Sequence, residues 1–412
     1  MAGKASTIVG LDIGTTNTTV VVADVQRDAG AAPKINVVGV GTSPSRGLRK
    51  GVVINIEATV SAISAAVSEA ESMSGREIKS VYASVSGSHI QGFNSHGIVA
   101  IRNKEVSQYD IDKVMEAAKA VAIPLDREVL HVLPQEFIID EQDGIKEPIG
   151  ISGVRLEARV HLVSGAIASA QNLIKCANRC GLNVRGIVLA SLASAKAVLS
   201  PEEQELGVCL VDIGGGTTDI TVFQGGGVRY TSVISVGGTH ITNDIAAGLR
   251  TPVIAAEEIK CGFGTTLKGL ISKDETIEVP STGGRPPRVL SKQVLSEIIE
   301  PRVTEIFNLV HRELVKSGCD EYLTSGLVLT GGSAGLKGAV QVAEQIFNLP
   351  VRVGTTSGVS GLADLVAPPE YATAVGLVIS GAGEAVVSSF SLSSGAVGRL
   401  CKKAGNWFAE HF

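Results

Sequence analysis

One pattern occurs twice in this chain, about two hundred residues apart, and the duplication leaves few architectures open. The first copy is Leu11-Asp12-Ile13-Gly14-Thr15-Thr16-Asn17-Thr18-Thr19-Val20, and the second is Val211-Asp212-Ile213-Gly214-Gly215-Gly216-Thr217-Thr218-Asp219-Ile220. Each reads as an apolar strand ending in Asp, a tight Gly/Thr turn and a second β-branched strand. Glycine lets the backbone bend closely around a ligand, and successive turn N–H groups form a concavity suited to phosphate. An acidic residue beside such a turn can hold magnesium through its water shell. Two such hairpins facing each other would clamp one triphosphate between two halves of the molecule. Gly14, Thr15, Thr16 and Asn17, with Gly214, Gly215, Gly216 and Thr217, are therefore the candidate phosphate contacts, and Asp12 and Asp212 the magnesium-side pair.

Other phosphate loops fit less well. There is no G-x-x-x-x-G-K-[ST] segment, and a dinucleotide-binding turn should lead into a helix, whereas both turns here lead into strands. A third turn completes the candidate site: the buried strand Leu327–Thr330, then Gly331, Gly332 and Ser333, then a helix from Leu336 onward. Close backbone approach at Gly331 and Gly332 suits the adenosine end of a nucleotide. The same residues match the G-x-S-x-G elbow of hydrolases, which requires a later acid and histidine. Asp364 could supply the acid, but the only later histidine is His411, next to the last residue.

At 412 residues, with 44% hydrophobic residues, the chain has room for two or more domains with sizeable cores. The net charge of −5, with both signs interspersed, argues against a nucleic-acid binder. Met1–Ser6 leads straight into a strand and does not read as a signal peptide. No apolar run reaches the roughly 18 residues of a spanning helix. The expectation is a cytoplasmic protein with any membrane contact peripheral. Cys176 and Cys180 lie one helical turn apart without a second pair, so reduced structural thiols are expected rather than zinc.

The pattern divides the chain into a first lobe (1–83) with an α+β insertion (84–164) and a return (165–205). A second lobe (206–244) follows, with its own insertion (245–318) and return (319–370). A helix is expected over Glu57–Ser72. Within the first insertion the pattern predicts a strand at Gly97–Arg102, a helix after Ser107, and strands at Glu128–Ile139 and Val154–Val163. Ser200–Glu205 reads as a polar turn between lobes, and Ser291–Glu300 as a helix. After a Ser-rich linker (388–396), residues 397–412 place Val397, Leu400, Ala404, Trp407, Phe408 and Phe412 at helical spacing, with Arg399, Lys402 and Lys403 near the opposite side. A basic amphipathic helix with aromatic anchors suits an anionic membrane interface.

Together the three turns resemble the actin, Hsp70 and sugar-kinase superfamily. Within it the chain is similar to the FtsA family of bacterial cell-division proteins. The narrower resemblance rests on Ser86-Gly87-Ser88-His89-Ile90 with Asn94-Ser95-His96-Gly97, on Val236-Gly237-Gly238-Thr239-His240-Ile241-Thr242-Asn243-Asp244-Ile245, and on Gly248-Leu249-Arg250-Thr251-Pro252. It rests further on Arg285-Pro286-Pro287-Arg288, Glu300-Pro301-Arg302 and Tyr371–Leu377. The resemblance implies an α/β fold, two-lobed and actin-like (a duplicated ribonuclease-H-like ATPase fold). It also implies a relocated insertion, a chain end that rejoins the first lobe at 371–387, and a C-terminal amphipathic helix. ATP and magnesium would occupy the cleft, with Glu257 and Lys260 reaching the ribose and adenine and Asp219 joining the site. Spacing alone reads Glu257 and Lys260 as an exposed helical ion pair, and Asp219 equally as a solvated strand residue. The implied partners are other copies of the chain in filaments or rings, the C-terminal peptide of FtsZ at Arg288 and Arg302, an anionic membrane surface and further division proteins. The implied location is the cytoplasmic face of the inner membrane at the division site. Two departures point to binding rather than fast hydrolysis: no cation in Asn17–Thr19, and Ala190 where Hsp70-like ATPases carry a glutamate. The rival readings are a sugar or phosphate kinase, for which no base for a substrate hydroxyl is identifiable, and an Hsp70-type ATPase, which would need a substrate domain after Leu377.

Overall fold

The computed structural model describes residues 6–27, 31–283 and 285–383. Its frame is two sheets of the same design. In the first, Ser6–Ile13 pairs antiparallel with Asn17–Gln26, which pairs antiparallel with Lys34–Pro44. On the other side of Ser6–Ile13, Ser80–Val85 and then Asn183–Leu189 add in parallel, and Ser360–Gly361 closes the far edge. In the second, Val208–Ile213 pairs antiparallel with Thr218–Gln224 and that strand with Gly227–Ile234, while Leu327–Thr330 and Val351–Val353 add in parallel on the opposite side. Strand order and direction therefore repeat from one lobe to the other, as a duplicated origin requires.

The central strands are buried along nearly their whole length; Val208–Ile213 has no exposed position. Strands covered on both faces carry continuous apolar runs instead of alternation. Between the lobes lie two short helices, Ala190–Val198 and Ala372–Ala382, composed mostly of small residues. Their backbones nearly touch: a side chain at Gly376 would strike the Ala193 carbonyl, so glycine is required for that approach. One hydrophobic cluster runs through this junction and joins Val21 and Ala23 of the first sheet, Leu192 and Ala193, Leu210 and Phe223 of the second, and Val375 and Leu377.

The first insertion is an antiparallel sheet in the order Gln91–Ala100, Arg155–Ala166, Arg127–Ile139, Gln142–Ile145. Its helix Gln108–Lys119 buries Ile111, Val114 and Ala118 against Phe137, Leu156, Val160 and Leu162. Its edge strand begins at Gln91, not Gly97, because the polar stretch Gln91–Ser95 still pairs with Val160–Ser164.

Several local expectations are corrected. Ser200–Glu205 contributes to a helix, Pro201–Leu206, fixed by a capping box in which Ser200 and Glu203 satisfy each other's backbone N–H, with Pro at the first helical position. The third turn passes through a 3-10 segment, Gly332–Gly335, and its helix starts only at Ala339, after Gly338 at φ 90°. The helix expected to end at Glu300 runs from Lys292 to Ser317 straight through Pro301. Its buried stripe Leu295, Ile299, Val303, Ile306, Phe307, Val310, Leu314 continues past the proline. Burying each of these side chains is worth about 1.5–3 kcal/mol, which together outweighs the roughly 3 kcal/mol cost of one internal proline. The linker and amphipathic segment, with Arg399, Leu400, Lys402, Lys403, Trp407, Phe408 and Phe412, lie outside the described residues.

Candidate functional site

The two hairpin turns meet at the junction of the lobes. Both close with the same hydrogen bond at the same length: Gly14 N–H donates to the Asn17 carbonyl at 3.0 Å, and Gly214 N–H to the Thr217 carbonyl at 3.0 Å. The tips touch. A side chain at Gly215 would collide with the Thr16 hydroxyl, and a Cβ on Gly216 would lie 2.6 Å from the Thr15 hydroxyl. Thr15 is itself held from the first lobe, accepting a hydrogen bond from Gly51 N–H at 3.2 Å.

Beneath the turns lie three carboxylates, each with its own hydroxyl donor. Ser84 Oγ donates to Asp12 at 2.6 Å, Ser194 Oγ to Asp212 at 2.6 Å, and Ser86 Oγ to Asp219 at 2.6 Å. Thr373 adds a longer contact to Asp212 at 3.4 Å. Asp219 is 3% exposed, so the reading of a solvated strand residue is wrong; it faces inward opposite Asp212 in the hairpin register. Burial pushes the Asp12 carboxyl up to about 6, against the Ser84 hydrogen bond and helped by the charge of Asp212. Burial pushes Asp219 up to about 7, reinforced first by Asp212 and more weakly by Asp12. Asp212 is raised by burial, opposed by the Ser194 and Thr373 hydroxyls. The three acids thus repel one another, and no lysine or arginine forms an ion pair with any of them among the described residues.

The donor set bears on magnesium. Hard carboxylate and hydroxyl oxygens of net negative charge suit Mg²⁺. Yet among the described residues no three acidic, His or Cys side chains converge closely enough to ligate an ion directly. Asp12, Asp212 and Asp219 would therefore suit a hydrated ion held through water rather than direct ligation.

The third turn sits directly on Asp212. Gly331, at φ 82°, has room for no side chain, because a Cβ there would strike Asp212 and lie 2.7 Å from the Ile213 carbonyl. Gly332 has nothing nearer its Cβ position than Glu370 at 3.9 Å, so its backbone faces open space. Next to it the N-terminus of helix Gly238–Leu249 closes over the second hairpin: Gly238 N–H donates to Gly214 O at 2.9 Å and Thr239 N–H to Gly215 O at 2.8 Å. Ser333 and the Lys260 ammonium both flank Gly238. Lys260 is only 8% exposed and donates to Glu257 at 2.8 Å, Thr242 at 3.0 Å and the Gly238 carbonyl at 3.3 Å. Burial raises the Glu257 carboxyl, but the Lys260 charge and hydrogen bonds from Lys260, Thr242 and Cys261 hold it below the usual range. Glu257 and Lys260 therefore form a half-buried network at the mouth of the cleft, not an exposed helical pair.

Arg288 and Arg302 lie on the second-lobe insertion, away from this cluster. Arg302 sits inside the long helix and is forked onto Asp244 at 2.6 and 3.1 Å, with a further hydrogen bond to Glu305. Arg288 donates to the Leu249 carbonyl.

Sequence reading gave no site role to Ser84, Ser86, Ser194, Thr373, Thr242 or the Gly237-Gly238-Thr239 segment, although Ser86, Thr242, Thr373 and that segment lie in the stretches that carry the family resemblance. Gly237-Gly238-Thr239 also carried a chemical signal of its own, since it repeats the Gly-Gly-Thr of the phosphate turn at a helix start, where anions bind.

Comparison with known proteins agrees with this architecture. A family model described as "Cell division protein FtsA" matches residues 209–376, and one described as "SHS2 domain inserted in FTSA" matches residues 87–164. The chain is 53% identical over 374 residues to the cell division protein FtsA of Pseudomonas aeruginosa, covering 91% of this chain and 89% of that one. It is 43% identical over 417 residues to FtsA of Escherichia coli K12, covering 98% of each. Among solved structures, a PilM–PilN type IV pilus biogenesis complex superposes with a TM-score of 0.65 at 16% identity, covering 91% of this chain and 98% of that one. MreB5 of Spiroplasma citri bound to ADP superposes with a TM-score of 0.53 at 16% identity, covering 91% and 95%.

Duplicated sheets, paired glycine turns and a helical junction between the lobes define an actin-like fold. The identity across nearly the full length narrows the class: the chain belongs to the FtsA family of cell division proteins.

Proposed function

We propose that this protein binds ATP with magnesium between its lobes, self-assembles head to tail, and tethers the FtsZ polymer to the inner membrane at the division site. The observation that carries the nucleotide reading is the contact between two matched glycine turns above three mutually repelling carboxylates. The N–H groups of Gly14–Thr16 and Gly214–Gly216 would receive phosphate oxygens. A hydrated magnesium ion held by Asp12, Asp212 and Asp219 would neutralise charge on those oxygens. Glu257 and Lys260 would hold the ribose and adenine end, where Gly331, Gly332 and Ser333 leave the backbone free to approach. With Ala190 offering no group to orient an attacking water, turnover would be slow.

Assembly follows from closure. A nucleotide that holds the lobes in one shape favours repeated heterologous contacts, which propagate as filaments or rings. The described residues include no helix long and apolar enough to cross a membrane. The amphipathic sequence at 397–412 would anchor the protein peripherally, each tail weakly and an oligomer tightly through avidity. Arg288 and Arg302 would receive the acidic, amphipathic C-terminal peptide of FtsZ, and other division proteins would bind the assembled form.

Electron microscopy with Mg-ATP, on anionic vesicles and off them, tests this reading. Filaments should form on lipid, and deleting residues 397–412 or substituting Trp407→Glu should release the protein from vesicles without loss of ATP binding. Unchanged vesicle binding after the deletion would show that the tail is not the anchor.

A further inference from the structure

The strand Gly227–Ile234 ends the second-lobe sheet, so one edge of it lacks a strand neighbour. Such edges are normally covered. Here the cover comes from the first-lobe insertion. A register shift between Val222 and Phe223 leaves Arg229 as an extra residue, because Phe223 pairs with Val228 and Val222 with Tyr230. This bulge accompanies two carbonyls bonded outside the sheet: Gln135 Nε2 donates to Val228 O at 2.7 Å, and Asn94 Nδ2 donates to Arg229 O at 3.3 Å.

The same two amides lead into a buried chain. Asn94 spends its N–H on a carbonyl, so its Oδ1 faces His161 Nδ1 at 2.7 Å and makes Nδ1 the protonated ring nitrogen. His161 Nε2 is then an acceptor, filled by the Thr231 hydroxyl of the second lobe at 2.9 Å. His161 is 1% exposed and Thr231 3%. Gly92 allows this approach: a methyl there would clash with Thr231 and lie 2.7 Å from His161 Nε2. Around the chain, Glu136 bridges Arg159 at 2.8 Å and Arg229 of the second lobe at 3.7 Å, and Lys146 pairs with Glu205 at 2.6 Å. Leu130 and Val163 of the insertion share one hydrophobic cluster with Phe223 and Val228 of the second lobe.

By sequence the insertion belongs to the first lobe, since it interrupts that lobe between Ser80–Val85 and Asn183–Leu189. By contact it grips the second. We infer that the insertion is a strut clamping the free edge of the second-lobe sheet through Asn94, His161 and Thr231, so that the lobes cannot open without either breaking this seam or swinging the insertion. The seam thereby couples the cleft to the orientation of the insertion, which presents Ile98, Ile149 and Val154 to solvent.

Hydrogen exchange on the full chain tests the strut, with and without Mg-ATP. Thr231→Val keeps the shape but leaves His161 Nε2 without a donor; Gly92→Ala wedges the same seam from the other side. In each variant the amides of Gln91–Ala100 and of Gly227–Ile234 should exchange at least about ten-fold faster, and together, while Ser6–Ile13 and Val208–Ile213 stay protected. Exchange unchanged at both segments in both variants would overturn the inference, as would acceleration of one segment without the other. A fluorescent ATP analogue gives an independent readout: its release should quicken several-fold in Thr231→Val. If the unaltered protein binds no nucleotide, the proposed function fails, while the exchange result still decides the strut.

Discussion

Asp219→Asn should make the nucleotide-free protein more stable. The carboxyl is buried, faces Asp212 across the hairpin and is pushed from 3.8 to about 7. A group whose pKa is raised on folding costs nothing while it is protonated in both states. The cost begins above 3.8 and is complete above about 7. At 1.36 kcal/mol per unit, a displacement of roughly three units is about 4 kcal/mol at pH 8. Asparagine has nearly the same shape, and its Oδ1 still accepts from Ser86, so the variant escapes this cost without losing the hydrogen bond. Urea unfolding followed by circular dichroism should show Asp219→Asn ahead by a few kcal/mol at pH 8, with the gap closing towards pH 4. The proposed site predicts that the same variant loses affinity for Mg-ATP, because one of the three acids that would face a hydrated ion is gone. A gap of equal size at both pH values, or no gain at pH 8, would refute the idea that the three carboxylates are held together under repulsion.

Other outcomes follow from the same geometry. His131 and His161 are both pushed down to about 4, chiefly by burial and for His131 also by the Lys196 charge. Each costs nothing above its unfolded value near 6.5, where the ring is neutral in both states, and destabilises the fold progressively as pH falls towards 4, by roughly 3 kcal/mol apiece. The acid limb of the stability profile should be shallower in His161→Gln, and an unchanged limb would argue against burial of the neutral ring. Arg288→Gln combined with Arg302→Gln should weaken binding of an FtsZ C-terminal peptide about ten-fold or more in fluorescence anisotropy, with ATP affinity unchanged. Unaltered peptide affinity would rule out that surface.

Much of the architecture was legible because its cause is local. Asp followed by a Gly/Thr turn between β-branched runs has the same reading at Asp12 and at Asp212, and the repeat specified two lobes before any contact was known. The third turn was visible as a strand followed by glycines, yet its helix start was misjudged because Gly338 needs a left-handed backbone that Leu336 did not signal. Ser200-Pro201-Glu202-Glu203 held a complete helix-start signal that its polarity disguised. The continuation through Pro301 was hidden for a different reason, since only tertiary burial of Val303 to Leu314 overrides the local preference. The hydroxyl partners of the three acids were out of reach altogether. Ser84, Ser86, Ser194 and Thr373 are ordinary residues in sequence, and become donors only when separate elements bring them to the cleft. The same is true of Asn94, His161 and Thr231, which the family-specific segments only partly contain.

The central claim is that the two hairpins and the third turn together form one Mg-ATP site, and titration calorimetry with Gly215→Glu and Gly332→Glu tests it most directly. The first substitution would place a carboxylate against Thr16 among the phosphates, and the second would fill the open space on the adenosine side. The unaltered protein should bind Mg-ATP at one site per chain, and both variants, shown folded by circular dichroism, should lose at least about a hundred-fold in affinity. Tight one-to-one binding retained by both folded variants would contradict the account.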